Sequence, residues 1–295
     1  MIPQRGLGNT GMKVGILGLG TVKLGRNTGV KYPSEFDLPN DRQATELIAL
    51  ARDHGINLID TAPAYGTSEE RLGYLLQGQR HRWLICSKVG EEFNDGLSSF
   101  NFTPEHTQLS IERSLRRLRT DVLDIVLVHS DGDDLAIINS FGTLDVLADL
   151  KRQGKLRAIG MSTKTVAGGL LAAQKTDVVM VTWNLQHQDE VPVIDYCHQH
   201  SKGVLIKKAL ASGHVARTNT VTTNNTADKN ITGKQFSERK LRPAAETSAG
   251  RQDQPVNQSL AMIFAHPGVS SAIIGTINPQ HLLANIDAVV KLDPG

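Results

Sequence analysis

The chain has 295 residues, of which 39% are hydrophobic, and a formal net charge of +2 at pH 7. This apolar content is enough for a substantial core, and the near-neutral charge argues against nucleic acid as a partner. The two cysteines, Cys86 and Cys197, are expected to be buried thiols, which fits a reducing compartment. No leader sequence and no apolar run of roughly 18 residues is recognised, so we expect a cytoplasmic protein.

The first residues, 2–17, place the turn sequence Gly8-Asn9-Thr10-Gly11 between short apolar segments, which predicts an N-terminal β-hairpin. After this hairpin, short apolar runs recur along the chain, and each could form a buried strand. Eight such runs lie near residues 16–20, 56–59, 83–89, 124–128, 156–161, 178–183, 203–206 and 271–275.

Segments with helical periodicity separate the predicted strands. Between Asn40 or Asp41 and Gly55, apolar residues follow the i, i+3, i+4, i+7 spacing, with a capping residue at the start and glycine at the end. Thr103 followed by Pro104 indicates another helix start. The later helices are expected near residues 164–174, 190–200, 255–265 and 279–290. Eight strands alternating with eight helices predict an α/β protein, a (β/α)8 TIM barrel that forms a single domain over residues 1–295.

Residues 57–73, NLIDTAPAYGTSEERLG, join the end of a strand to the start of a helix. The buried strand ends in the carboxylate Asp60, and Tyr65 follows in a loop that contains proline and glycine. Thr67 and Glu70 have the spacing of a capping box, in which each side chain binds the other residue's free backbone N–H, so we expect the helix to begin there. The stretch therefore holds an acid and a phenol between two rigid elements.

A long polar insertion, residues 212–257, interrupts the barrel pattern after the seventh strand. It is rich in Thr, Asn, Lys and Arg, has little apolar periodicity, and is far longer than an ordinary connection. Two interpretations stay open at this point: a partly disordered surface insertion, or a flexible lid over the site.

Four polar side chains are expected to converge at one end of the barrel. In a parallel barrel all strands end on the same face, and there the second, third and fourth strands carry Asp60, Lys88 and His129, with Tyr65 in the adjoining loop. Each residue alone has an ordinary explanation as a cap, a surface amine or a packed ring. Together, the ammonium would lower the pKa of the phenol, the carboxylate would keep the lysine charged, and the histidine would orient a substrate oxygen.

Four motifs, in the same order along the chain, closely resemble the aldo-keto reductase family. They are GINLIDTAPAYGTSEERLG, ICSKVG, SIERSLRRLRTDVLDIVLVH and SAIIGTINPQHLLANIDA. The resemblance covers the chain apart from 212–257 and assigns the family's catalytic roles to Asp60, Tyr65, Lys88 and His129. It implies hydride transfer between a nicotinamide and a small-molecule carbonyl or alcohol, with Tyr65 as general acid or base.

No G-x-G-x-x-G motif follows the first strand, so a Rossmann domain is not indicated. This agrees with the resemblance, which implies an extended dinucleotide, NADPH or NADH with NADPH slightly favoured, across the mouth of the barrel. The positions that hold the nicotinamide amide fall on Ser162, Thr163 and Met180, and the last two depart from the usual asparagine and glutamine. Where many members stack a tyrosine, the chain has Lys207 and Lys208, which could cover the ring, disfavour the oxidised cofactor or reach the pyrophosphate.

The last strand-to-helix turn, residues 275–279, predicts a phosphate site, because free N–H groups at a helix N-terminus attract anions. Family members strict for the 2′-phosphate often carry lysine and arginine at the positions of Gly275 and His281, so the resemblance leaves the coenzyme open. His281 and Lys208 could still bind that phosphate, and Asn285 could contact adenine. The other residues that the resemblance assigns to the cofactor are Gly20, Thr21, Leu210, Ser212, Thr276 and Asn278.

Two other classes of protein compete with an enzyme of this type. Some relatives are channel subunits, so the chain could be a cofactor-binding regulatory or accessory protein. A metal-dependent hydrolase built on Asp60, His129 and the acidic run 131–134 fits less well, because such carboxylates are usually solvated and Lys88 would lie where the cation binds. Substrate-pocket walls are expected from the insertion and from residues 22–37, 90–100 and 130–134.

Overall fold

The centre of the molecule is a closed barrel of parallel strands, in a computed structural model that describes residues 1–30, 32, 35–211 and 248–292. The strands are β1 (Gln4–Gly6), β2 (Lys13–Gly15), β3 (Leu17–Gly20), β4 (Leu58–Asp60), β5 (Leu84–Val89), β6 (Glu91–Asn94), β7 (Leu97–Phe100), β8 (Leu123–His129), β9 (Leu156–Ser162), β10 (Val178–Thr182), β11 (Gly203–Lys207) and β12 (Ser271–Ile274). Eight of these described strands close the ring in the order β3-β4-β5-β8-β9-β10-β11-β12. The predicted (β/α)8 barrel is confirmed.

Helices follow the strands of the barrel. They are α1 (Val22–Gly25), α2 (Asp41–Asp53), α3 (Ser68–Leu75), α4 (Pro104–Leu118), α5 (Asp134–Ser140), α6 (Thr143–Arg152), α7 (Val166–Lys175), α8 (Val191–Gln199), α9 (Ser248–Ala265) and α10 (Pro279–Val290). Short 3-10 turns occupy Gly8–Thr10 and Arg80–Arg82. Within the described ranges, none of the helices has the length and apolar composition needed to cross a bilayer.

The N-terminal hairpin closes one end of the barrel. β1 and β2 pair antiparallel, as predicted. Leu7, Met12 and Val14, which lie in or next to this hairpin, are buried in one apolar cluster with barrel residues such as Leu58 and Leu205. Burial of apolar surface stabilises a fold by roughly 25 cal/mol per Å². The hairpin residues in this cluster therefore contribute to stability, and they also keep water out of the barrel.

Three of the predicted helix starts are confirmed by side-chain caps. Asn40 and Gln43 form a reciprocal capping box at the start of α2. The Thr103 hydroxyl accepts a hydrogen bond from a backbone N–H in the first turn of α4, and Asn278 does the same for α10. In α4 and α10, proline follows the capping residue at the first helical position, where a backbone N–H would have no partner within the helix and its loss costs nothing.

The capping box expected from Thr67 and Glu70 is wrong. Thr67 has φ −84° and ψ 6°, away from the extended conformation of a capping residue, and its side chain makes no capping bond. Glu70 instead lies 3.3 Å from the guanidinium of Arg117. The start of α3 is held by backbone bonds, from the Thr67 N–H to the Gly25 carbonyl and from the Ser68 N–H to the Tyr65 carbonyl.

Helix α9 begins earlier than the sequence pattern indicated. Its first residue is Ser248 and it contains Pro255, whereas the pattern predicted a start near residue 255. The end of the expected insertion is therefore helical. Residues 212–247 lie outside the described residues, so the choice between a surface insertion and a lid stays a prediction.

A second hairpin, β6 and β7, follows the third barrel strand where only a loop was expected. Glu91 pairs with Phe100 and Asn94 with Leu97 in this two-stranded sheet. Gly90 precedes it with φ +103°, a conformation that L side chains rarely adopt. A Cβ atom there would lie 2.4 Å from the ring of Phe102, so glycine is needed for the chain to turn out of the barrel.

Candidate active site

The C-terminal ends of neighbouring strands bring the four expected catalytic residues to one face. Parallel pairing sets Gly20 of β3 beside Asp60 of β4, and His129 of β8 beside Ser162 of β9. Lys88 lies near the end of β5, and Tyr65 lies in the loop that leaves β4. The predicted convergence is therefore present in the structure.

Asp60 and Lys88 form a buried ion pair. The Lys88 Nζ lies 2.5 Å from Oδ1 of Asp60 and also donates to the carbonyl of Thr61 at 2.9 Å. The two side chains are only 5% and 2% exposed. Burial by itself would lower the pKa of Lys88, but the charge of Asp60 and the proximity of Tyr65 outweigh it and raise that pKa. The lysine is thus held as an ammonium group.

Tyr65 adjoins this pair. Its hydroxyl donates a 3.4 Å hydrogen bond to Oδ2 of Asp60, and the Lys88 Nζ lies 4.7 Å from the centre of its ring. Burial, followed by the negative charge of Asp60, raises the pKa of Tyr65, and the lowering effect of Lys88 is smaller. Lys88 lowers the pKa of Tyr65 as expected, but burial and Asp60 outweigh this effect and the net direction is upward. A neutral phenol here is a hydrogen-bond donor.

The loop that carries Tyr65 is held by contacts on both sides. Thr21, whose side chain is fully buried, donates to the Asp60 carbonyl at 2.8 Å and accepts from Ser68 at 2.8 Å. Arg26 donates to the carbonyl of Ala64, directly before Tyr65, at 2.9 Å. The Thr21 hydroxyl and the Thr21 backbone N–H, which also donates to the Asp60 carbonyl at 3.0 Å, are thus both occupied within the protein.

His129 faces Tyr65 on one side and a carboxylate on the other. The rings of His129 and Tyr65 meet edge-on, with centroids 6.4 Å apart at 86°. The Nδ1 atom of His129 lies 2.8 Å from Oε2 of Glu91, at the start of β6. Glu91 was not predicted from the sequence. The sequence signal for it is a carboxylate directly after the glycine that follows the third barrel strand.

Glu91 and His129 each shift the pKa of the other. Burial raises the pKa of Glu91, but the contact with His129, Ser98 and Arg26 outweighs this and lowers that pKa to about 2. Burial lowers the pKa of His129, and Lys88 and Lys207 add to this effect while Glu91 opposes it. A carboxylate is therefore fixed beside a histidine whose charge depends on the balance of its neighbours.

An amine occupies the neighbouring strand ends, where the amide of a nicotinamide was expected. The Lys207 Nζ donates to the Ser162 hydroxyl at 2.9 Å and to the Thr163 carbonyl at 2.5 Å. Burial lowers the pKa of Lys207 to about 8, although Glu190 opposes this effect. Met180 is packed into the apolar interior of the barrel below them.

Two glycines, Gly20 and Gly275, lie at the mouth of the barrel against neighbouring side chains. A Cβ atom on Gly20 would lie 3.0 Å from Ile273, and one on Gly275 would lie 3.4 Å from the Tyr32 hydroxyl. A side chain at Gly20 would be crowded by Ile273, so packing explains the glycine there. The amine of Lys207 and the hydroxyl of Ser162, at the neighbouring strand ends, are groups that can hydrogen-bond a polar amide.

The other residues assigned to the cofactor are spread along the same side. Thr276, with its side chain bonded to Asn278, precedes α10, and the Asn278 side chain already caps that helix. His281 is exposed and Asn285 is buried. The remaining positions are Leu210, which is half-buried, Lys208, which is exposed, and Ser212, which lies outside the described residues.

The acidic run after β8 has a structural explanation. Asp133 caps α5 by accepting from the Ala136 N–H, and Asp134 is buried. One Asp134 oxygen accepts hydrogen bonds from the backbone N–H groups of Lys164 and Thr165. These contacts join the loop after β8 to the segment that follows β9 and give both carboxylates a structural role.

Comparison with known proteins agrees with this arrangement. The profile of the Aldo/keto reductase family matches residues 16–294. A solved structure assigned to the aldo-keto reductases, from Pseudomonas aeruginosa, is 47% identical, covers 98% of this chain and 94% of that chain, and has a TM-score of 0.79.

Two curated relatives extend the comparison. The uncharacterized oxidoreductase YqkF of Bacillus subtilis is 24% identical over 292 residues, which are 97% of this chain and 90% of that protein. L-galactose dehydrogenase of Arabidopsis thaliana is 35% identical over 174 residues, which are 55% of this chain and only 48% of that protein. With its eightfold barrel and its match to the family over residues 16–294, the chain belongs to the aldo/keto reductase family and is an NAD(P)-dependent oxidoreductase.

Proposed function

We propose that the protein interconverts a small aldehyde or ketone and the corresponding alcohol, with Tyr65 as the general acid and base. The single observation that carries this proposal is the meeting of the Tyr65 hydroxyl with the buried pair of Asp60 and Lys88 at the open end of the barrel. General acid or base catalysis needs a proton carrier within hydrogen-bond reach of the reacting oxygen, on a rigid support. The ends of β4 and β5 supply that support.

Each of the four residues has a distinct role in this proposal. Tyr65 gives its proton to the carbonyl oxygen during reduction and takes it back during oxidation. Lys88 stabilises the phenolate that remains, because a fixed positive charge acts strongly where water is excluded. Asp60 holds Lys88 charged and in place, and His129 orients the substrate oxygen. A nicotinamide, when bound, supplies or accepts the hydride.

The cofactor is proposed to lie across the strand ends between β9 and α10. Ser162, Thr163 and Lys207 would bind the nicotinamide amide, with Met180 as an apolar floor that cannot donate as the usual glutamine does. Gly20 and Gly275 are proposed to contact the cofactor through their backbone. The other proposed contacts are Thr21, Lys208, Leu210, Ser212, Thr276, Asn278, His281 and Asn285. NADPH is slightly favoured over NADH.

A polar substrate such as a small sugar or polyol is the class that the pocket walls support best. Arg26 bonds the carbonyls of Thr28 and Gly29 and stacks on Phe93, so the loop after β3 and the β6–β7 hairpin meet beside Glu91. The carboxylate and guanidinium groups make this wall polar, which favours a substrate that carries hydroxyl groups over an apolar one. The similarity of part of the chain to L-galactose dehydrogenase supports the same class.

Steady-state turnover tests the proposal. Aldehydes, ketones and aldoses are assayed with NADPH and NADH, and sugar alcohols and aldoses with the oxidised coenzymes, at substoichiometric enzyme. The expected result is many turnovers per molecule with at least one polar carbonyl. Tight coenzyme binding without turnover across this panel would favour the alternative, a cofactor-binding regulatory or accessory protein.

A further inference from the structure

The Glu91 carboxylate contacts the Nδ1 edge of the His129 ring, next to the end of β5. The His129 Nδ1 atom is buried and lies 2.8 Å from Oε2 of Glu91, within ion-pair distance but not aligned as a hydrogen bond, and 22% of the histidine side chain is exposed. The Glu91 side chain is 13% exposed. One nitrogen of the ring is thus enclosed beside a carboxylate, and the exposed part of the ring lies elsewhere.

The β6–β7 hairpin fixes Glu91 in this position. The second oxygen of Glu91 accepts a 2.7 Å hydrogen bond from the Ser98 hydroxyl across the hairpin. Side chains alternate along a strand, so the next residue, Glu92, points the opposite way. Glu92 lies 3.3 Å from His106 and pairs with Arg113, both on α4. One carboxylate therefore anchors the hairpin to the helix while its neighbour faces the active site.

Without Glu91, the charges that act on His129 would be mainly the positive charges of Lys88 and Lys207. Lys88 and Lys207 face the ring from β5 and β11, and both disfavour an imidazolium. Asp60 is already paired with Lys88 at 2.5 Å. Glu91 is the carboxylate in direct contact with the ring, and its charge opposes the effect of the two amines.

We propose that Glu91 is a positioning residue that holds the Nδ1 edge of His129 and thereby directs Nε2 to the substrate oxygen. This inference rests on the proposed function. With both ring nitrogens protonated, Nε2 donates a hydrogen bond to the carbonyl oxygen that Tyr65 protonates. With only Nδ1 protonated, Nε2 has no proton to donate to that oxygen. The negative charge of Glu91 therefore favours the protonated ring and widens the pH range in which Nε2 can orient the substrate oxygen.

The variant Glu91→Gln tests this role, because glutamine keeps an acceptor at the same reach but removes the charge. We expect His129, followed by nitrogen NMR of its ring, to lose its proton at a pH about one unit lower, a tenfold change in the charged fraction. The pH profile of kcat/KM for reduction should shift in the same direction by a similar amount. The binding of coenzyme, measured by fluorescence, should change less than about threefold, a difference of about 0.7 kcal/mol.

Two further variants separate charge from hairpin structure. Glu92→Gln weakens the anchor to α4 and should leave the His129 titration unchanged, and Glu91→Asp, which retains the charge, should restore much of the wild-type profile. The inference is overturned if Glu91→Gln leaves the His129 titration and the pH profile within 0.2 unit of wild type, a difference of roughly 0.3 kcal/mol, or if Glu92→Gln reproduces its effect. The NMR titration needs no turnover, so it tests the pair even if wild-type protein reduces no carbonyl, an outcome that would reject the proposed function instead.

Discussion

The Lys88 ammonium and the Asp60 carboxylate lie 2.5 Å apart in an almost fully buried pair at the end of β4 and β5. Buried pairs of this kind are only weak evidence for stability, because the desolvation of two charges can exceed their attraction. Removal of one partner is different, since it leaves the other charge alone in the interior. The pair therefore links the stability of the barrel to the chemistry at its mouth.

Asp60→Asn should destabilise the protein by about 3 kcal/mol, because Lys88 loses its ionised partner. Urea unfolding measures this change. The double variant Asp60→Asn/Lys88→Met should recover part of the lost stability but none of the activity. Equal stability of the single and double variants would contradict the explanation.

Tyr65→Phe should reduce kcat by a factor of about 10² to 10⁴, the usual contribution of a positioned proton carrier. The phenyl ring keeps the packing against Lys88 and His129, so the dissociation constant of the coenzyme should stay within about twofold, roughly 0.4 kcal/mol. Single-turnover kinetics and fluorescence titration of the coenzyme measure the two effects. Undiminished reduction by this variant would refute the role of Tyr65.

The affinity for oxidised coenzyme should rise as the pH increases through about 8. Burial lowers the pKa of Lys207 to about 8, so its amine is charged below this pH and becomes neutral above it. A charged amine beside Ser162 and Thr163 repels a positively charged nicotinamide ring and does not repel the reduced ring. The dissociation constants of NADP+ and NADPH, measured between pH 6.5 and 9.5, should therefore diverge at low pH.

Lys207→Met should remove this pH dependence. Lys208→Met is the matched control, because it removes the adjacent, exposed lysine on the same strand end and should leave the dependence near pH 8 in place. An unchanged pH dependence in Lys207→Met would exclude the Lys207 amine as its source.

The preference for NADPH over NADH should be less than about a thousandfold, roughly 4 kcal/mol. Glycine at position 275 has no side chain to contact a 2′-phosphate, and His281 lacks the guanidinium fork with which an arginine binds phosphate in two places. The ratio of kcat/KM values for the two coenzymes measures this preference. A larger ratio would mean that other residues form a phosphate clamp that the sequence comparison does not identify.

Local features of this chain could be predicted from the sequence alone. The apolar runs, the caps at Asn40, Thr103 and Asn278, and the Gly-rich turn of the first hairpin depend on neighbours within a few residues. The meeting of Asp60, Lys88 and His129 was also readable, because parallel strands of a barrel end on one face whatever their separation along the chain.

Other features required the tertiary structure. Thr67 has the right neighbours for a cap, but the bond from its N–H to the Gly25 carbonyl and the bond from the Ser68 N–H to the Tyr65 carbonyl hold the chain in another conformation. The pKa of Tyr65 depends on how deeply the ring is buried beside Asp60, which outweighs the effect of Lys88. Glu91 contacts His129 because Gly90 turns the chain into the β6–β7 hairpin. That hairpin has no alternating pattern of apolar residues from which it could be predicted. Sequence spacing by itself determined which residues stand at the ends of strands, whereas burial and contacts across the fold decided which of them carry charge and which hold one another in place.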